Sequence, residues 1–285
     1  MKTILIPTDF SPNSENATDY AMEMNKKINA KIVLFHSYFI PVYGTDMPVE
    51  VLNDAEIREA SLKTLEKLKE KAKLKFKNSD FVFDVLTSEG IIADEIAAAV
   101  EKEKIDLVVM GTKGAHGLKE VLIGTNTASV VGKVNCMVLA IPEEAKFKEI
   151  KKIVFATNYA ENDFENIEAV IDFAKHYNAE VIMLHISEGD LSRSFEFNSI
   201  EHFEQRIKED TNYEGISFKL FEGKNVEEGI SLYLEEINAD MIAMTNRHRN
   251  LFQRLFDRSL TKKMAYHTHI PLMTFHVKER GNYLL

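Results

Sequence analysis

Apolar residues alternate along the chain between short unbroken runs and stripes at helical spacing. Thr3–Pro7 is a compact apolar run bounded by turn formers, the pattern of a strand buried on both faces. Ser11 followed by Pro12 reads as a helix start. The hydroxyl can cap a free backbone N–H, and proline at the first helical position gives up a donor that has no partner there. Ala17, Tyr20, Ala21, Met24 and Ile28 then recur on one helical face. Further strands are predicted at 31–36, 81–87, 107–110 and 136–141, and helices at about 50–77, 91–103 and 125–133. The order β-α-β-α-β-α-β-α-β predicts an α/β domain with a mainly parallel sheet covered by helices on both faces.

The pattern then repeats. Ile4-Leu-Ile-Pro-Thr-Asp9-Phe10 aligns with Ile153-Val-Phe-Ala-Thr-Asn158-Tyr159 at an offset of 149, which also carries 30–36 onto 179–185. Farther along the offset becomes 134: Asp106-Leu-Val-Val-Met110 matches Asp240-Met-Ile-Ala-Met244, and 135–141 matches 269–275. The second copy is therefore 15 residues shorter in its middle. Two homologous domains are expected, 1–144 and 150–278, joined around 142–146, with a C-terminal tail at 279–285. The polar, weakly periodic stretch 187–214 reads as a lid or a loose connection. Seven lysines crowd residues 63–77 beside Leu62, Leu65, Leu68 and Ala72. They form either a basic binding patch or the solvated side of a helix whose apolar side covers the sheet.

Composition narrows the function classes. The chain has 285 residues, 45% hydrophobic and 28% charged, and a formal net charge of −10. An acidic surface repels phosphate within about a Debye length, about 8 Å, which argues against general nucleic-acid or anionic-membrane binding. The single cysteine, Cys136, excludes an intramolecular disulfide and fits a reducing compartment. No run approaches the about 18 apolar residues of a membrane span, and the N-terminal apolar run is too short for a signal-peptide core. A cytoplasmic location is expected.

Residues 111–126 carry the candidate chemistry: Gly111-Thr-Lys-Gly114-Ala-His-Gly117-Leu-Lys-Glu-Val-Leu-Ile-Gly124-Thr125-Asn126. The segment starts at the carboxyl end of the fourth predicted strand and ends at a predicted helix start, with Thr125 as the expected N-cap. Glycines let backbone amides approach an anion closely, and a helix N-terminus offers free N–H donors. Thr125, Asn126 and Lys113 could add side-chain contacts to a polyphosphate. Asp9 follows the first strand, so it faces the same crevice if the strand order reverses between strands one and four. A helix-entry role for Asp9 is the alternative.

These residues resemble the universal stress protein family. Gly111-x2-Gly114-x9-Gly124-Thr125 is similar to that family's nucleotide-binding pattern, Pro7-Thr8-Asp9-Phe10-Ser11 to its first-strand signature, and His36 to its second-strand ending. The likeness spans both halves, so the chain resembles a tandem member. The resemblance implies two domains, each a five-stranded parallel sheet in the order 3-2-1-4-5. It implies ATP as the ligand, with or without magnesium. Carried over by position, Asp9 and Ser37 would meet the adenine, while Pro7, Thr8, Met110 and Gly111 would line the nucleoside pocket. Lys113, Gly114, Gly124, Thr125 and Asn126 would hold the phosphates, although Lys113 departs from the neutral or histidine residue often found there. The family's fifth strand commonly pairs between subunits. Residues 137–141 and 272–277 are therefore expected to pair within the chain, and a homodimer is a further expectation.

The second copy departs from this pattern. Gly111, Gly114, Gly117 and Gly124 become Thr245, His248, Leu251 and Arg258, and Asp9 becomes Asn158; only Thr125 keeps a hydroxyl, as Ser259. Bulky side chains would block the close backbone approach that phosphates need. Arg247, Arg249, Arg254 and Arg258 form either an anion-attracting cluster or a solvated basic loop. His267 and His269, with His248 or His276, lack the close spacing of a zinc site. There is no Gly-x-Ser-x-Gly elbow, no carboxylate pair beside the glycine loop and no assigned base for an attacking water. The leading expectation is an ATP-binding stress-response or signalling protein with one competent site, in the first domain. The alternatives are an adenine-nucleotide hydrolase or ligase, whose relatives carry a Ser-Gly-Gly-rich loop where this chain has Thr8-Asp9-Phe10-Ser11, and a scaffold with vestigial nucleotide binding.

Overall fold

The computed structural model describes residues 1–39, 53–77, 79–112, 124–159, 162–188, 193–246 and 269–276. The first half contains β1 (Thr3–Pro7), α1 (Pro12–Ile28), β2 (Lys31–Tyr38), α2 (Asp54–Lys75), β3 (Phe83–Glu89), α3 (Ile92–Glu103), β4 (Leu107–Gly111), α4 (Thr125–Val131) and β5 (Met137–Ile141). The second contains β6 (Lys152–Ala156), α5 (Asn162–Lys175), β7 (Glu180–Ser187), α6 (Arg193–Asp210), β8 (Ile216–Glu222), α7 (Val226–Ile237), β9 (Met241–Asn246) and β10 (Leu272–His276).

The strands form one sheet in the order β3-β2-β1-β4-β5-β10-β9-β6-β7-β8. Each half thus has the order 3-2-1-4-5, with the reversal between its first and fourth strands. Neighbours are parallel within each half. β5 and β10 pair antiparallel, with Leu272 opposite Ala140 and Thr274 opposite Val138. Val277, expected in the last strand, lies outside the described residues, as does the tail 279–285.

Both faces of the sheet are covered. One buried layer joins α1, α2, α5 and α6 to the strands, and the other joins α3, α4 and α7. Each layer crosses the β5–β10 seam: Leu139 and Ile141 meet Met273 and Phe275 on one face, and Val138 and Ala140 meet Leu272 on the other.

Local chemistry explains the element ends. Ser11 caps α1 by accepting from Ser14 N at 3.3 Å, with Pro12 as the first helical residue. The predicted stripe Ala17, Tyr20, Ala21, Met24 and Ile28 is buried. Asn29 ends the helix at φ 56°, a left-handed conformation that asparagine tolerates better than most residues. The repeat extends to the strand starts. Asp106 accepts from the backbone N–H groups of Lys2 and Thr3, at 2.6 and 2.9 Å. Asp240 does the same for Lys151 and Lys152, at 2.8 and 3.0 Å.

The lysines of α2 largely find acidic partners. Lys71 and Lys75 pair with Glu15 and Asp19 of α1 at 2.9 and 2.6 Å, while Lys69 and Lys73 pair with Glu66 and Glu70 on their own helix. This is the solvated-face arrangement, with Leu65 and Ala72 buried beneath.

Within 187–214, read as a lid or a loose connection, residues Arg193–Asp210 form the helix α6, whose second half is packed on the core. Phe203 and Ile207, one turn apart, are each 2% exposed. The Phe203 ring meets those of Phe164 and Tyr159 at 4.1 and 5.1 Å, and the Arg206 guanidinium lies 3.9 Å over the Phe164 ring. In the described part of the helix, packing of Phe203 and Ile207 holds a face flanked by charged and polar residues.

Candidate functional site

The crevice expected from the strand reversal begins where β1 and β4 part. They pair only at Ile4–Leu107 and Leu5–Val108. Beyond that point β1 continues to pair with β2, up to Pro7–Phe35, and β4 with β5, up to Gly111–Ile141. Pro7 has no N–H to offer, so the carboxyl end of β1 lacks a donor at that position, while Thr8 N serves the β2 side.

A rigid turn follows β1. Thr8 N donates to Phe35 O at 2.8 Å, and the Thr8 hydroxyl accepts from Phe10 N at 2.9 Å. Phe10 is held at φ 61°, and its ring stacks on His36 at 4.6 Å. His36 Nδ1 lies 2.8 Å from Thr8 O, locking the turn to β2. Thr8 is buried, whereas Asp9 is exposed and accepts from Ser11 N at 3.0 Å through Oδ1. Asp9 thus braces the helix entry, two residues beyond the carboxyl end of β1. Ser37, half-buried on β2 opposite Ser88, lies one strand over.

On the other side, Met110 and Gly111 are buried at the end of β4. Thr112 N donates to Ile141 O at 2.9 Å, and Gly124 N donates to Thr112 O at 2.5 Å. The ends of the glycine segment are thus stitched together beside the crevice. Lys113, Gly114 and Gly117 lie outside the described residues. The N-cap of α4 is Gly124 rather than Thr125: Gly124 is extended at φ −70°, ψ 159° and makes no side-chain cap. The helix therefore starts one residue earlier than expected, with Gly124 N tied to Thr112, and Thr125 and Asn126 are exposed in its first turn. There the N–H groups have no intrahelical acceptor. Sequence reasoning missed Thr127, which is 2% exposed and donates from Oγ1 to Gly111 O at 2.8 Å, fixing α4 to the end of β4.

The second half repeats the turn and changes the crevice. Thr157, Tyr159 and His185 reproduce the contacts of Thr8, Phe10 and His36, including His185 Nδ1 at 2.9 Å from Thr157 O and a positive φ at Tyr159. Here β6 and β9 stay paired from Ile153–Met241 to Ala156–Met244, with Ala156 in the place of Pro7. Thr245, standing where the first half has Gly111, donates from Oγ1 to Asp163 Oδ1 at 2.6 Å and accepts from Asn166 at 2.9 Å. Asp163 is 1% exposed and also accepts from Thr157 Oγ1 at 2.6 Å. Its counterpart Ser14 lies 3.0 Å from the Thr8 hydroxyl and donates from Oγ to Ser11 O at 2.9 Å, within its own turn. Asp163 and Asn166 were invisible to motif reading, because neither belongs to the glycine pattern. The arginine cluster, His248, Leu251, Ser259 and His267 lie outside the described residues.

A sequence model described as the universal stress protein family matches residues 1–142 and again 149–276. The chain belongs to the universal stress protein family. It is a tandem member with two copies of the domain. A universal stress protein of Methanocaldococcus jannaschii is 32% identical over 151 residues, covering 51% of this chain and 84% of the relative. The universal stress protein A homologue 1 of Coxiella burnetii is 29% identical over 144 residues, 49% of this chain and 95% of the relative. The crystal structure of a universal stress protein from Archaeoglobus fulgidus shares the fold along nearly the whole chain. Its TM-score is 0.72 at 19% identity, covering 96% of this chain and 98% of that one. Among the described residues of this universal stress protein, no helix is long and apolar enough to cross a membrane. No group of three or more His, Cys, Asp or Glu among them is placed to hold a metal ion.

Proposed function

We propose that this universal stress protein binds ATP at one site per chain, in the domain 1–144, and acts in stress response or signalling from the cytoplasm. The observation that carries the reading is the contrast between two crevices of one molecule. The first opens beyond Leu5–Val108 and is bordered by Gly111, Gly124, an exposed Asp9 and an exposed helix start. The second stays paired to Ala156–Met244 and has Thr245 clasped by Asp163 and Asn166.

An adenine nucleotide fits the residues present. Pro7, Thr8, Met110 and Gly111 would border the nucleoside, with Asp9 and Ser37 toward the base. Lys113, Gly114, Gly124, Thr125 and Asn126 would take the phosphates through backbone N–H groups, hydroxyl and amide donors, and one positive charge. Magnesium, where present, would neutralise part of the phosphate charge. Binding rather than turnover is the activity proposed. The domain 150–278 serves as its structural mate, joined to it through β5 and β10 within the chain.

Titration calorimetry of the full chain with ATP is expected to give a stoichiometry near one. Gly114→Val in the full chain is expected to remove that binding, because a β-branched side chain obstructs phosphate approach and disfavours positive φ. The fold should survive, as judged by circular dichroism. A stoichiometry of two, or one site remaining in Gly114→Val, would overturn the one-site reading.

A further inference from the structure

A cleft of about 390 Å³ runs between α5 and the edge of the first half. Glu165, Ala169 and Asp172 of α5 line one side, Asp106 and Asn135 the other, and Phe275 of β10 also borders it. The internal repeat supplies a mate for this cleft. Shifting these residues by the repeat offsets gives Asn16, Tyr20 and Glu23 of α1, Asp240 and His269 of the second half, and Ile141 of β5.

The mate is filled. The linker that leaves β5 after Ile141 runs through it. Asn16 Nδ2 donates to the carbonyls of Pro142 and Ala145, at 3.3 and 3.0 Å, and Lys146 Nζ donates to Asn16 Oδ1 at 2.6 Å. Phe147 meets the Tyr20 ring edge-on at 5.3 Å. On the far wall, Lys148 Nζ lies 2.8 Å from Asp240 Oδ1, and His269 Nε2 lies 3.4 Å from Glu144. Ala145 and Ile150 are 1% and 0% exposed beneath these contacts.

We propose that residues 277–285 of this chain dock in the cleft beside α5, as the linker docks in its mate beside α1. β10 ends at His276, one residue beyond Phe275, the counterpart of Ile141 where β5 ends, so the segment leaves the sheet within one residue of the linker's exit. The segment reads Val277-Lys-Glu-Arg280-Gly-Asn-Tyr283-Leu-Leu285. Under the offset of 134, Arg280 takes the place of Lys146, and Glu165 takes the place of its partner Asn16. A cation-to-amide contact becomes an opposite-charge pair. The cleft carries Glu165, Asp172 and Asp106, and the segment brings Lys278 and Arg280 against one Glu279. Ala169 in place of Tyr20 leaves a volume that Phe147 helps to fill in the mate. The ring of Tyr283 suits that space, because Gly281 replaces Phe147 in the segment itself.

Backbone amide resonances of the full chain test this. Ending the chain after His276 is expected to shift Ala169, Asp172, Phe173 and Asn135, while Asn16 and Tyr20 keep their positions. The effect should be the same at every protein concentration. Arg280→Glu in the full chain should move the same amides toward the truncated positions, and Glu165→Arg combined with Arg280→Glu should return them; this pair carries the test if the truncated chain does not fold. Random-coil shifts for 277–285 in the full chain, or cleft amides indifferent to both changes, would overturn the proposal. Cleft shifts that vary with protein concentration would overturn it too, by making a second copy the occupant.

Discussion

Thr127 shows how one hydroxyl can set the geometry of a loop it does not belong to. Its Oγ1 is buried and bonded to Gly111 O, so the helix start and the strand end move as one piece. Thr127→Val keeps the shape and leaves that carbonyl with one partner fewer. It is expected to lower stability by about 1–2 kcal/mol, measured by urea unfolding, and to weaken ATP binding through displacement of the loop ends. Cys136 illustrates the opposite situation, a reactive group kept quiet by its surroundings. Burial first, and then the negative charge of Asp106, push its thiol up to about 12. The proton is therefore retained at neutral pH. Near pH 8 the thiolate population should be roughly a thousandfold below that of an ordinary thiol, so alkylation of the native chain should be very slow. Unfolding in urea should restore the usual rate. Fast alkylation of the folded protein would contradict this upward shift of the half-buried thiol.

Among the elements, α1 and α6 differ in how they declare themselves. α1 has a cap, a proline at its first position, a wide apolar stripe and an asparagine stop, all encoded within its own residues. The described side chains of α6 give a narrower signal, with Phe203 and Ile207 buried in a helix otherwise rich in charge. Its order depends on rings supplied by Tyr159 and Phe164. Phe203→Ala is accordingly expected to cost about 3 kcal/mol or more, the range for truncating a buried aromatic. Hydrogen exchange should accelerate in α6 before it does in the sheet. If exchange in α6 does not change, the ring cluster is not what holds the helix.

The two halves share more than a pair of edge strands. Tyr177, just after α5, donates from its hydroxyl to Met24 O in α1 at 2.6 Å, and burial raises the pKa of this phenol. Both buried layers continue across the seam, so the first half is stabilised by contacts that the second supplies. Tyr177→Phe removes one cross-seam bond without opening a cavity. It is expected to lower stability by about 1 kcal/mol, with faster exchange in both α1 and α5. An effect limited to α5 would mean that the halves respond independently. Antiparallel pairing of β5 with β10 also covers two edges that would otherwise offer unpaired backbone groups to other chains.

The amino-acid sequence determined the strand and helix alternation, the cap at Ser11, the duplication with its two offsets, and the glycine segment after the fourth strand. Each of these is written in neighbouring residues, where periodicity, turn chemistry and φ preference act over a few positions. The contrast between Gly111 and Thr245 was also legible, because one half could be laid on the other. Tertiary structure decided which crevice stays open. That outcome depends on Asp163 reaching Thr245 from 82 positions away, and on whether a strand keeps its neighbour beyond Pro7 or Ala156. It likewise decided that Lys71 and Lys75 serve α1, that α6 is a helix, and that the linker fills one groove of a matched pair. Such contacts join groups that are distant in sequence. Their energies arise only once packing has brought the partners together and removed water from between them.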